Sequence, residues 1–436
     1  MAALTKTRLR VPPLFGAAVL MAMSAAGPGF ITQTASFTVL YGASFACAVV
    51  VSMIIDVAVQ LNVWRILGIS GQRAQDLASK VFPGAGQVLT VFVVLGAVVF
   101  NIGNVAGTGL GLHNLLGIDS RIGAAISGCL AIGIFLAKSV FTAVDRVMVV
   151  LGLVKIALII ALVAVTAPPV GQAAVGTVAP HGLPLLPILT LIGGTVGGFI
   201  TYSGAHRLID AGITGVGNLK RIHRGALTGI LVACVLRIVL FLGFFGVIAT
   251  GAHLANRNDA AGSSFLAAFG TAGLHLFGLV FWAAGMTSTI GNSYTTATFL
   301  QSYAAPVRRH FNRAVIVLIG LATIVFIAAG QTPQSMLVFA GAINGLVLPI
   351  GLGIILWVAL RRRDLIAGYQ SDRKEADTVR SRPARRNPFP PWLPSDWERT
   401  AQYRYPRVLL GAGLAAWLFT AYAAVESLTS IGSIFH

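Results

Sequence analysis

Two short runs inside long apolar stretches carry groups able to hold a solute. The first is Gly27-Pro28-Gly29-Phe30, followed by Thr32, Gln33 and Thr34. The second contains Gly193, Gly194, Gly197, Gly198 and Gly204, and with them Thr201, Tyr202 and Ser203. Proline removes a backbone donor and clashes with the preceding turn, and glycine lowers helix stability. Each run is therefore expected to interrupt a helix. The freed backbone N–H and C=O groups must then face a cavity or a solute. This is recognition chemistry rather than bond-making chemistry. The competing role for such glycines is close helix packing.

Ionisable residues in apolar surroundings are the second signal, because burying charge there is costly. Asp56, Lys155 and Arg237 qualify, and His206 is the histidine nearest the second run. Lys155 and Arg237 can balance Asp56 as a structural pair, or meet a substrate carboxylate. Asp56 or His206 can carry a proton. Glu426 falls at the end of an apolar stretch. No HExxH pair, P-loop or nucleophile elbow occurs, so no catalytic residue and no organic cofactor is expected. Gly107, Gly109 and Gly111 form a glycine repeat with no strand before it, which argues against dinucleotide binding. Cys47, Cys129 and Cys234 lack metal-ligand spacing and read as buried small hydrophobes.

These residues need elements to position them, and composition names the class. The 436 residues are 56% hydrophobic and 10% charged, against about 25% charged in ordinary soluble domains. A membrane-spanning helix needs about 20 mostly apolar residues. Eleven such segments can be drawn, at 14–41, 43–64, 87–113, 121–138, 145–167, 184–206, 224–250, 264–300, 314–330, 334–360 and 406–427. None shows the alternation of a membrane β-barrel, so the expected class is all-α and polytopic. The first apolar run is too long for a cleaved signal peptide.

Charge placement orients the chain. Of 31 Lys and Arg, 27 fall at the N-terminus or in the loops after segments 2, 4, 6, 8 and 10. Only Arg121 and Arg257 fall in the opposite loops. By the positive-inside rule the N-terminus, 1–13, is cytoplasmic and the C-terminus, 428–436, external, in a bacterial-type inner membrane. The net charge of +18 thus fixes orientation and does not point to nucleic acid. Segments 1–5 (14–167) and 6–10 (184–360) read as two five-helix halves, with the interruptions at matching positions in segments 1 and 6. A basic cytoplasmic loop, 361–405, precedes the eleventh segment, 406–427, and suits contact with anionic lipid headgroups. The expected partners are a small-molecule solute and the bilayer, and the expected state is a monomer.

Several motifs together resemble the Nramp family of proton-coupled transporters of manganese, iron and related divalent metals. They are LFGAAVLMAMSAAGPGF at 14–30, YGASF at 41–45, LGISGQRAQDLA at 67–78 and WAAGMTSTIGNSY at 282–294. The resemblance implies the LeuT-like fold, five helices plus five inverted, with helices 1 and 6 unwound in mid-membrane. By analogy with that fold the coupling ion is either a proton on Asp56 or His206, or sodium held by helix 1 carbonyls with Thr287, Ser288 and Thr289. The resemblance also implies where a metal would bind, and there the match fails. Gly27 and Phe30 stand at the family's Asp and Asn of helix 1, and Thr201 and Ser203 at its Met and His of helix 6. In the third segment, FNIGNVAGTGLG offers Asn101 and Asn104 where the family has acids. A transition metal requires carboxylate, imidazole or sulfur ligands.

Without those ligands, the positive ends of the second half-helices favour an anion, or the carboxylate of a zwitterion such as an amino or hydroxy acid. Gly27, Gly29, Thr32, Gln33, Thr34, Thr201, Ser203, Asn101 and Asn104 would supply neutral hydrogen bonds, and Phe30 and Tyr202 apolar walls. The alternative is a divergent proton-coupled carrier of manganese, iron or magnesium. A receptor or a membrane-embedded enzyme is a third class without a supporting motif. The orientation can be tested with reporters fused after His436. Alkaline phosphatase is expected to be active there and green fluorescent protein dark, and the opposite pattern would reject the topology.

Overall fold

The computed structural model describes residues 27–252, 254–301, 304–366, 405–430, 432 and 434. The first half of segment 1 and most of the basic loop, 367–404, lie outside the described residues. Among the described residues all regular structure is helical. In chain order the helices used below are α1 (Pro28–Tyr41), α2 (Phe45–Ser70), α3 (Ala74–Val81), α4 (Ala85–Leu116) and α5 (Ser120–Leu136). There follow α6 (Lys138–Thr166), α7 (Val170–Val178), α8 (Leu185–Thr195), α9 (Ile200–Asp210) and α10 (Leu219–Ala249). The last are α11 (Ala260–Leu300), α12 (Phe311–Ala329), α13 (Pro333–Arg361) and α14 (Arg407–Ser427).

Every predicted segment falls on helix, the first through its described half. Eight described spans are long and apolar enough to cross a bilayer, with α1 and α2 counted as one stretch. A ninth is added if Val150–Thr166 and α7, bent by 102°, form one span. The helix ends follow from local chemistry. Gly71 closes α2 at φ 64°, with its N–H on the Leu67 carbonyl at 2.9 Å, and Asp119 caps α5 by accepting from the Arg121 N–H at 2.8 Å.

The structure locates one expected break, and two other features depart from the sequence reading. The interruption of segment 6 lies at 196–199, where Gly198 has φ +49°. Thr201, Tyr202 and Ser203 are already in the first turn of α9. The glycines release the backbone, as the sequence implies, and the polar residues follow them on α9. Segment 8 is kinked at Gly270, whose φ of 66° lies outside the helical region. Without a kink, 41 residues would run about 60 Å, twice the hydrocarbon thickness. Two short helices, α3 and α7, occupy stretches read as connections.

The bundle is apolar outside, and polar side chains are buried within its largely apolar core. Ile54, Leu130, Val317, Ile324 and Leu418 are exposed on its outer face. Cys129 is exposed as well, contrary to its expected burial, whereas Cys47 and Cys234 are buried. Lipid is as apolar as leucine, so helices associate through close packing of small residues. Gly111 of α4 lies against α11, where a Cβ would come 2.5 Å from the Trp282 nitrogen. Gly111→Ala is expected to cost about 1–3 kcal/mol of stability by overpacking. Gly133→Ala, with open space around it, should be neutral or stabilising. Thermal unfolding of both variants in detergent checks this, and equal midpoints would reject it.

Candidate solute site at the interrupted helices

α1 begins at Pro28, whose missing N–H costs nothing at a first helical position. Gly27 stands before it in extended conformation, and its carbonyl accepts from the Ile31 N–H at 3.4 Å. α9 begins after Gly197 accepts from the Ile200 N–H at 3.0 Å. The first-turn N–H groups of a helix lack intrahelical partners and sit at its positive end. The site thus starts from two helix N-termini preceded by glycine.

Beside α1 lies a buried cation. The Arg237 side chain is 1% exposed. Its Cζ sits 4.3 Å from the centroid of the Phe30 ring, a cation–π contact. Its Nη1 donates to the Leu191 carbonyl at 3.4 Å and lies 3.7 Å from Asp56 Oδ2. The latter distance allows charge pairing but exceeds a hydrogen bond. Nε and Nη2 have no hydrogen-bond partner, and neither has either Asp56 oxygen. Nε and Nη2 form one edge of the planar guanidinium fork, which matches the two oxygens of a carboxylate. Of the open alternatives for Arg237 and Asp56, the geometry therefore forms the pair and still leaves a donor edge unused.

Gln33 links α1 to α8, just before the break at 196–199, and to α13. Its Nε2 donates to the Leu337 carbonyl of α13 at 3.1 Å, and its Oε1 has no partner. Gly194 of α8 and Gly341 of α13 leave the space its amide fills. Gly29 also lies against this amide. The Thr32 and Thr201 hydroxyls are buried without partners, while the Thr201 carbonyl accepts from Trp64 Nε1 at 3.0 Å. Tyr202 is buried with its hydroxyl against Gly351, and Ser203 is half-buried. Thr34 differs from expectation. Its hydroxyl donates to the Phe30 carbonyl at 2.8 Å and is spent within α1.

Asn344 was not singled out from the sequence. Its Nδ2 donates to the Gly96 carbonyl at 3.0 Å and to the Ala340 carbonyl at 2.9 Å. Its Oδ1 fills the space beside Gly198, at the break itself. A lone Asn within an apolar segment was the available signal.

Other candidates lie elsewhere. His206 is two turns beyond the break. Its Nε2 accepts from the Ala74 N–H at 3.0 Å, and its ring packs on Phe299 at 4.8 Å. It thereby holds the start of α3. Lys155 is buried in α6. Thr287 donates to the Ala283 carbonyl of its own helix at 2.7 Å, whereas Thr289 is buried without a partner. Asn101 and Asn104 face α11, with Asn101 Nδ2 donating to Ser293 Oγ at 2.8 Å. Glu426 is exposed. Among the described residues no three His, Cys, Asp or Glu side chains gather closely enough to hold a metal ion.

Residues 18–373 match the model of the Natural resistance-associated macrophage protein-like family. The chain belongs to the Nramp family. Membership makes it a membrane transporter and not an enzyme. It is 44% identical over 357 residues to an uncharacterised membrane protein of Bacillus subtilis, YcsG, covering 82% of this chain and 88% of that one. The Eremococcus coleocola manganese transporter shares the fold with a TM-score of 0.66 at 14% identity, covering 95% of this chain and 86% of that one. Mhp1, a nucleobase-cation-symport-1 family transporter solved in a closed conformation with bromovinylhydantoin bound, aligns with a TM-score of 0.55 at 13% identity. That alignment covers 97% of this chain and 93% of Mhp1. The fold is therefore that of the Nramp and LeuT-like transporters.

The Asp56–Arg237 pair can be tested by a double-mutant cycle. Arg237→Met alone strands a buried carboxylate and is expected to cost about 3–5 kcal/mol. Adding Asp56→Leu should recover part of that loss. Additive effects in thermal unfolding would show that the two residues are not coupled.

Proposed function

We propose that this Nramp-family chain is a secondary transporter working by alternating access, and that its solute is a small organic anion or zwitterion, such as an amino or hydroxy acid. The observation that carries the reading is the unpartnered Nε–Nη2 edge of Arg237, set over Phe30 in the first turn of α1. A carboxylate satisfies both donors at once and gains the strength of a charge-assisted, bidentate contact. The two helix N-termini add positive potential. The positions that match the family's metal ligands hold Gly27, Phe30, Thr201 and Ser203, none of which supplies a carboxylate, imidazole or sulfur. In this reading Gly27, Gly29, Thr32, Gln33, Thr201 and Ser203 hydrogen-bond the solute, and Phe30 and Tyr202 wall it.

The protein acts as a monomer in a bacterial-type inner membrane, N-terminus inside. Segments 1–5 and 6–10 serve as the two halves that rock about the site. Transport is coupled to symport of a cation, proton or sodium.

Proteoliposome uptake tests the solute class. Saturable uptake of a radiolabelled carboxylate from a panel of amino and hydroxy acids is expected, and Arg237→Lys should weaken it roughly ten- to a hundredfold by losing the bidentate fork. Divalent cation transport is the second reading, favoured by the family itself and by a manganese transporter of the same fold. Saturable manganese uptake with no carboxylate transported would replace the first reading by the second.

A further inference from the structure

A separate set of unpartnered polar atoms lies between α4 and α11. The two helices run antiparallel, and their contacts fix the register. Asn292 Nδ2 donates to the Ala97 carbonyl at 2.7 Å. Gly285 packs against Asn104 and Thr108, and Gly111 against Trp282. Thr289 lies between 285 and 292, so it stands level with Asn101 and Asn104. The 2.8 Å contact of Asn101 Nδ2 with Ser293 Oγ belongs to the same level. One turn beyond Asn104, Gly107 packs against Pro28 at the start of α1.

Four side-chain oxygens at this level have no hydrogen-bond partner: Asn101 Oδ1, Asn104 Oδ1, Thr289 Oγ1 and Asn292 Oδ1. All four residues are buried, the most exposed at 7%. Asn104 Nδ2 is also unpartnered, so that amide is free to turn either end inward. Leaving so many buried acceptors unmatched is costly, because each has lost water without replacement. The Asn101 and Asn292 amides have committed their donors, to Ser293 and to Ala97, so their oxygens are left to accept.

Oxygens that are neutral, hard and desolvated match a small hard cation. Its charge follows from the absence of acid. Asp56 faces Arg237, and Asp259 caps α11 by accepting from Gly262 and Asn114. Neither carboxylate belongs to the cluster. A divalent ion would carry two uncompensated charges into a low-dielectric interior, whereas a monovalent ion carries one.

We propose that Asn101, Asn104, Thr289 and Asn292 form a sodium site between α4 and α11, next to the start of α1. The site deepens the transporter reading by naming the coupling ion, and assigns Asn101 and Asn104 to the ion rather than the solute. An ion held there braces α4 and α11 against the glycine-rich entry of α1, so its departure would free that entry to move.

The test needs no solute. Purified full-length protein in detergent is unfolded thermally in sodium chloride or choline chloride at constant ionic strength. A saturable upward shift of the midpoint in sodium is expected, absent in choline. Thr289→Val and Asn104→Leu should each weaken the apparent sodium affinity roughly tenfold or more, as losing one contact to a charge implies. Thr289→Ser, which keeps the oxygen, should respond like the wild type. If Asn104→Leu does not fold, the Val and Ser variants at 289 decide alone. No sodium-specific shift in the wild type, or an unchanged response in Thr289→Val, would overturn the site. Carboxylate uptake that needs a proton gradient and ignores sodium would also overturn it, while leaving the organic-anion reading intact.

Discussion

A guanidinium cannot sit inside a membrane bundle unless something balances it, and the arrangement around Arg237 follows from that requirement. Burying an arginine at this depth is costly. The cost is met by a carboxylate on α2, a carbonyl on α8 and an aromatic face on α1. Four helices therefore meet at one side chain. The charge is balanced from the Nη1 side alone, and the opposite edge of the fork is left with unused donors. In the proposed reading, that open edge is where the carboxylate of the solute binds.

The glycines packed around that polar centre are its counterpart. Helices in lipid gain little from apolar contact, so they need close approach or hydrogen bonds to stay together. Here the two devices are combined. Gln33 fits where Gly194 and Gly341 leave room, and Asn344 fits where Gly96 and Gly198 do. Small residues create the gaps, and amides fill them while donating to backbone carbonyls of neighbouring helices. A side chain at any of these glycines would evict the amide and leave its polar partners stranded.

Much of this was legible in the chain before its folding was considered. Runs of apolar residues marked the helices, and Gly-Pro-Gly marked the start of α1. The glycines of segment 6 marked the second break, but which of the five fall in it was not legible: Gly197 and Gly198 do, while Gly193 and Gly194 stay in α8 and Gly204 in α9. The roles of several polar residues were not legible at all. Thr34 and Thr287 satisfy carbonyls of their own helices, and His206 holds the start of α3. A threonine bonded to its own helix and one turned inward without a partner look identical in sequence.

Composition alone established a polytopic helical membrane protein. The thickness of hydrocarbon sets how long an apolar run must be, and that length is written residue by residue. The absence of acid from the helix breaks was equally plain, since residue identity is local information. Which polar atoms are left unpaired is not local. Arg237 finds Asp56 across 181 positions of chain, and Asn292 finds Ala97 across 195. Those meetings depend on crossing angles and on where glycine lets backbones touch. Among the polar atoms that the packed bundle leaves without partners are one edge of a guanidinium and the four oxygens between α4 and α11.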